Sequence, residues 1–354
     1  MRILIIGQNT KVAKLFSCFS DEIFMVIDSS VDHFRKYRES ELYVTIETST
    51  DVKRISSIFK RSIEIKKWVK DNNIDLIFTN EKVSMIAAKL ATLFNNRIKL
   101  MSTSHNSYAW LDSFKVWVFS KLTRFSVNGY LALASFVESA LIKAGFPKTR
   151  ILMLPNIIEP NLFEKKDHYE LNGSAVRIVY TSAIYRGKGQ HNLLQASTAL
   201  RYQGYDIRVD FIGEVIDPIY KSELDTFVEN NEISNIVNFM GAIDNVELRR
   251  ILKNYDIYVC PSMMEMSPYN ILEAKVTGLP IIATDTGGIP DLICDGENGL
   301  LVQQGNLESM IAAIKRLIDN EQLRRKLGLA AFDGMTDDVI LEYSGKLKDF
   351  IDTL

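Results

Sequence analysis

Short aliphatic and β-branched runs alternate with longer stretches of helical period along most of the chain. In the first half the apolar runs fall at 2–6, 23–27, 74–79, 98–101, 130–133 and 151–154, with helical segments between them, as at 53–71, 83–94 and 135–144. The second half repeats the alternation, with runs at 177–180, 208–212, 237–240, 257–260, 280–283 and 300–302. Runs this short and this apolar predict strands covered on both faces, hence an α/β chain of parallel sheets flanked by helices. The alternation stops at 164–174, which is polar, contains glycine and has no apolar period, so it reads as an inter-domain linker. The expected organisation is a domain over 1–163, a linker over 164–175 and a second domain over 176–336. A last helix over 337–354 has no strand after it and is expected to pack back on the first domain. A length of 354 residues agrees with two domains, each able to bury a core without disulfide or metal staples.

Charge sharpens this division. The formal net charge is −2, yet residues 1–170 carry 25 Lys and Arg against 18 Asp and Glu, and residues 171–354 carry 17 against 26. The basic excess is densest between Arg35 and Lys70. It suits either a solvated helix face or an anionic partner. Cys18, Cys260 and Cys294 form no paired motif and fit a reducing compartment. The apolar run 3–6 is too short for a secretory signal, and no uncharged stretch approaches the ~18 residues needed to span a bilayer. The expectation is a cytoplasmic protein.

Chemistry concentrates after the run 257–260. There the chain passes Pro261, Ser262 and Glu265 to Ser267 and Pro268, then enters a helical stretch holding Tyr269, Asn270 and Glu273. Ser267 reads as a helix cap and Pro268 as the first helical residue. The backbone N–H groups of Tyr269 and Asn270, at the positive end of that helix, make a site suited to a diphosphate. Glu265 stands in the loop before the helix and Glu273 inside it, so the two carboxylates can face opposite sides of a bound diphosphate. A second strand, loop and helix supplies Arg186 and Lys188, cations able to neutralise a departing diphosphate. The Arg186 to Gly189 stretch alone also suits a plain surface turn.

These residues resemble the retaining glycosyltransferases of family 4, whose architecture of two Rossmann-like doubly wound domains facing a central cleft is called GT-B. The resemblance rests on Pro261-Ser262 with the Glu-x7-Glu pair Glu265 and Glu273, then Gly278-Leu279-Pro280, Gly287-Gly288 and Asp295 to Gly299. It implies that Glu265 acts at the donor sugar and Glu273 holds the nucleotide ribose. Lys188 would hold the diphosphate, and the loop from Met240 to Ile243 would border the base. His105 matches the family's histidine near donor sugar and acceptor. Two positions depart from the family. Ser182 and Ala183 stand where it has a Gly-Arg pair, so Arg186 is the candidate substitute. The first loop, with Gly7 and Asn9 as candidate phosphate or acceptor contacts, lacks the usual double glycine.

The implied reaction is transfer of a sugar from a nucleotide-diphosphate sugar to a hydroxyl of a glycan or lipid-linked glycan, with anomeric configuration retained, in bacterial surface-polysaccharide assembly. No Asp-x-Asp occurs, so no metal and no cofactor beyond the substrate is implied. Apolar residues, mostly aromatic, recur at roughly helical spacing in 108–125, as Trp110, Phe114, Trp117, Val118 and Phe125, with Lys115, Lys121 and Arg124 nearby. They suit either a core-facing helix or peripheral contact with an anionic membrane. The rival readings are a sugar-nucleotide 2-epimerase of the same fold and a non-catalytic nucleotide-sugar-binding protein. A basic stretch without a reading motif gives no ground for nucleic-acid binding.

Overall fold

A computed structural model describes residues 1–6, 10–28, 43–48, 57–80, 82–103, 118, 121, 123–171 and 175–354. The chain divides into two compact units, 1–157 with 338–354, and 158–337.

The first unit is built on a parallel sheet of β1 (Arg2–Ile6), β2 (Glu22–Asp28), β3 (Val44–Thr48), β4 (Leu76–Thr79), β5 (Lys99–Ser102), β6 (Gly129–Ala132) and β7 (Ile151–Met153). Their spatial order is β3-β2-β1-β4-β5-β6-β7. Ile3 to Ile6 are fully buried, as expected for a central strand covered on both faces. Ile3 pairs with Ile23 on one side and Leu76 on the other. β3 is a strand that the apolar runs did not indicate. It lies at the sheet edge, paired with β2 only among the described residues, and Val44 is 49% exposed. An edge strand needs no continuous apolar run.

Residues 338–354 group with this unit. The final helix, Asp337–Thr353, buries Ile340, Ser344, Leu347 and Ile351. Ser344 Oγ donates to the Leu15 carbonyl at 2.5 Å, and Lys99 Nζ donates to the Ile351 carbonyl at 2.6 Å. At the start of β6 a side chain on Gly129 would meet Leu354 and Phe350 at 2.7 and 2.8 Å. Glycine there leaves room for the helix end.

The second unit carries the parallel sheet of β8 (Val176–Thr181), β9 (Ile207–Ile212), β10 (Val237–Gly241), β11 (Ile257–Cys260), β12 (Ile281–Asp285) and β13 (Leu300–Gln303), in the order β10-β9-β8-β11-β12-β13. This is the Rossmann strand order. Both sheets reverse direction of winding once, between β1 and β4 and between β8 and β11. At such a switch point the connections leave for opposite faces and open a crevice at the carboxyl ends of the strands. The core of the second unit is continuous across its sheet, with Ile178, Tyr180, Phe211, Tyr258, Ile271 and Ile282 all nearly inaccessible.

The segment read as a linker is instead strapped to the second unit. Lys166 is 7% exposed, with Nζ donating to the Tyr255 carbonyl at 2.7 Å and its backbone N–H to the Thr277 carbonyl at 2.8 Å. Tyr169 donates its hydroxyl to the Gly278 carbonyl at 2.7 Å, and its own carbonyl accepts two bonds from Arg324 at 3.1 and 2.8 Å. A polar, aperiodic sequence conceals this because lysine, arginine and tyrosine bury long stems while their tips find carbonyls. Burial pulls the Lys166 ammonium below its ordinary range, partly offset by Asp256. Among the described residues no helix is long and apolar enough to cross a membrane.

Candidate active site

Three loops meet at the carboxyl edge of the second sheet, one after each of β8, β11 and β12. The first, 182–189, ends in the short turn Arg186–Lys188 and at Gly189, whose φ of +67° lies in the left-handed region. A side-chain carbon on Gly189 would stand 2.1 Å from the Pro261 carbonyl oxygen. Only glycine allows these loops to approach so closely. Gly287, after β12, does the same for the middle loop: its φ is +58°, and a side-chain carbon there would lie 2.0 Å from the Glu265 carbonyl oxygen.

The backbone of 262–265 is pinned from both neighbours. Met263 N–H donates to the Gly187 carbonyl at 3.0 Å, and Gly288 N–H donates to the Glu265 carbonyl at 2.9 Å. Thr284 Oγ1 donates to the Ser262 carbonyl at 2.5 Å, while Thr286 Oγ1 and Gln304 Nε2 donate to the Met263 carbonyl at 3.0 and 2.8 Å. A loop held at this many points fixes its side chains.

On this frame Glu265, 8% exposed, pairs with Lys188. Nζ of Lys188 lies 2.5 Å from Glu265 Oε1, with the two side chains 17% and 10% exposed. Ser262 Oγ donates to the same Oε1 at 2.8 Å and stands 2.7 Å from the hydroxyl of the fully buried Tyr180. Burial opposes charge on Lys188, but the Glu265 carboxylate outweighs it and holds the ammonium above its ordinary value. Below the pair, burial and then Glu265 push the Cys260 thiol up to about 11, so it stays protonated and unreactive.

The helix that follows runs over Tyr269–Thr277, one residue later than the cap pattern indicated. Pro268 is its N-cap, in extended conformation, and not its first helical residue. Ser267 is buried one position outside. Tyr269 packs its ring against the core, and burial raises its hydroxyl pKa. Asn270 Nδ2 donates to the Thr181 carbonyl at 2.8 Å, and its Oδ1 is buried without a protein partner. Glu273 is half-buried in the same helix, close enough for its charge to help raise the Tyr258 hydroxyl pKa behind the effects of burial and Cys260.

The remaining sequence candidates separate. Arg186 is drawn to the helix Pro218–Asn230: its Nη2 bonds Glu223 at 2.6 and 2.5 Å, and the guanidinium lies 5.0 Å from the Tyr220 ring centroid. Its side chain is 59% exposed, and the structure joins it to neither Lys188 nor Glu265. Ile243 packs on the core just past β10, beside Gly241, whose carbonyl accepts from Gly213 N–H at 2.8 Å. His105, Gly7 and Asn9 lie outside the described residues, as does most of 108–125. Of that stretch, Val118 is half-buried and Phe125 is 75% exposed. Tyr180 was missed as a site residue, since within an apolar run it reads as core. Its hydroxyl partner cannot be read from a strand pattern.

Two family models cover most of the chain. The family model described as glycosyl transferases group 1 matches residues 163–333, and the one described as glycosyltransferase family 4 matches 28–162. The capsular polysaccharide biosynthesis glycosyltransferase CapM of Staphylococcus aureus is 22% identical over 320 residues, 86% of this chain and 82% of that protein. An uncharacterised glycosyltransferase of Haemophilus influenzae is 23% identical over 333 residues, 92% of this chain and 91% of that protein. Among solved structures, Anabaena Alr3699/HepE in complex with UDP and glucose shares the fold over the whole of both chains, with TM-score 0.82 and 17% identity.

Proposed function

Because the chain belongs to the family 4-like glycosyltransferases of GT-B fold, we propose that it moves a sugar from a nucleoside diphosphate sugar to a hydroxyl of a glycan or lipid-linked glycan, with retained anomeric configuration. The observation that carries this reading is the Lys188–Glu265 pair, seated where β8 and β11 part and beside the N-terminus of the helix Tyr269–Thr277. Lys188 neutralises the charge that grows on the leaving diphosphate. The backbone N–H groups at the helix start bind the same group without a metal. Glu265 presents its second carboxylate oxygen to the sugar hydroxyls, Glu273 takes the ribose, and the loop carrying Gly241 and Ile243 borders the base. Uridine is the base proposed, because the solved relative binds UDP. A polysaccharide acceptor is proposed from the printed role of CapM. The acceptor attacks from the face that the diphosphate leaves.

The experiment is a thermal-shift panel of nucleoside diphosphates and their sugars, followed by transfer to glycan acceptors. Ligands that bind only the folded protein raise its apparent stability in proportion to the logarithm of their concentration over Kd. Stabilisation by UDP and a UDP-sugar, with acceptor-dependent UDP release unaffected by chelator, is the expected result. Turnover of the sugar nucleotide without acceptor supports an epimerase. Binding without any turnover supports a nucleotide-sugar-binding protein.

A second observation favours peripheral membrane contact on the cytoplasmic face. On the helix Ile58–Asn72, Phe59 and Ile63 are 78% and 72% exposed, and Lys60, Lys66, Lys67 and Lys70 are exposed beside them. Apolar residues among lysines suit an anionic lipid surface. Sedimentation with anionic vesicles at low salt, lost in a Phe59→Glu/Ile63→Glu variant, is the expected outcome. No binding by the wild type contradicts it.

A further inference from the structure

We propose that Ser262 and Tyr180 are positioning residues, which hold Glu265 by its Oε1 atom so that Oε2 is the oxygen offered to the donor sugar. The inference rests on reading this site as the donor-sugar site and adds to it two residues and a direction of hydrogen bonding.

The direction follows from proton count. An ionised carboxylate only accepts, so the single hydroxyl proton of Ser262 lies on the 2.8 Å bond to Glu265 Oε1. The 2.7 Å contact between Ser262 Oγ and the Tyr180 hydroxyl must then be donated by Tyr180. Tyr180 is fully inaccessible, and burial raises its pKa well above the ordinary value, so it remains a donor. Oε1 also accepts from Lys188 Nζ at 2.5 Å, while Oε2 accepts no bond among the described residues. Ser262 is itself fixed, because Thr284 Oγ1 bonds its carbonyl at 2.5 Å. The chain Tyr180 to Ser262 to Glu265 therefore sets the rotation of the carboxylate even when Lys188 turns to a bound diphosphate.

The test measures Kd for UDP and for a UDP-sugar, with kcat and donor KM, in the wild type, Ser262→Ala, Tyr180→Phe and the double variant. A hydrogen bond to a charged group is worth about a tenfold to hundredfold effect. Ser262→Ala is expected to lose about tenfold or more in kcat and in the preference for UDP-sugar over UDP, with the Kd for UDP unchanged. Tyr180→Phe is expected to lose about twofold to fivefold alone and nothing further in the Ser262→Ala background, because it acts through Ser262. Equal losses in UDP and UDP-sugar affinity, or the same Tyr180→Phe loss in both backgrounds, show a merely structural role and overturn the inference while leaving the donor site standing. A wild type that binds UDP but gains nothing from the sugar overturns the donor-site reading and this inference with it.

Discussion

Replacing Lys188 by methionine removes the cation and keeps most of the side-chain volume. It leaves the Glu265 carboxylate, 8% exposed, with Ser262 as its remaining hydrogen-bond donor. Removing one partner of a buried ion pair typically costs ~3–5 kcal/mol. The side chains here keep 17% and 10% exposure, and solvent screening of that remainder reduces the expectation to about 2–3 kcal/mol. For a unit of about this size, 158–337, 1 kcal/mol moves Tm by about 2–4 °C, so the melting transition of this unit should fall by about 4–12 °C. Glu265→Gln in the same chain removes the stranded charge and should restore a large part of that loss, giving a coupling of about 1–3 kcal/mol in a double-mutant cycle. The assay is differential scanning calorimetry of the four proteins at neutral pH, with UDP added in a second series. Lys188→Met should also lose most of the stabilisation by UDP. An unchanged Tm in Lys188→Met, or strictly additive effects in the cycle, would refute the ion pair as the element that organises these loops.

The Lys188 pKa is raised in the fold, so its contribution is fully present below the unfolded lysine value of about 10.4. It disappears as pH rises through the folded value, and the stability gap between wild type and Lys188→Met, followed by urea titration, should close only in that alkaline range. Gly287→Ala places a carbon 2.0 Å from the Glu265 carbonyl and should abolish transfer and lower Tm. Gly296→Ala, with φ of +73° but open space around it, should cost only about 1 kcal/mol from backbone strain. Arg186→Ala, by breaking the exposed contact with Glu223, should reduce transfer far less than Lys188→Ala in steady-state kinetics; equal losses would return Arg186 to the diphosphate. Tyr169→Phe removes the bond to the Gly278 carbonyl and should destabilise the second unit by about 1–3 kcal/mol in thermal melts, whereas a free linker would show no change.

What could be read from the chain depended on whether a signal was local. Central strands such as Ile3 to Ile6 and Ile257 to Cys260 are continuous apolar runs because both faces are covered. The edge strand Val44–Thr48 is half open and alternates with polar residues, so the same criterion passes over it. The motif Pro261 to Glu273 could be picked out as a candidate, since its residues are close in sequence. The Lys188–Glu265 pair spans 77 positions, and only the strand order places the two loops side by side. Arg186 illustrates the reverse: two residues from Lys188, its side chain is drawn off by Glu223 on another helix. The placing of 164–171 failed because its lysine and tyrosine tips bond carbonyls that composition does not show. The turn at Ser267 and Pro268 was displaced by one residue, a shift that side-chain preference alone does not resolve.

The central claim is that Lys188 and Glu265 form a donor site from which sugar is transferred. The most direct measurement is incubation of a UDP-sugar, isotopically labelled in the sugar, with wild type or Glu265→Gln protein and a glycan acceptor, with the product followed by NMR. The expected result is label in the acceptor with the anomeric configuration of the donor, one UDP released per sugar, and loss of transfer in Glu265→Gln. Label that remains in an epimerised nucleotide sugar, or transfer undiminished in Glu265→Gln, would contradict it.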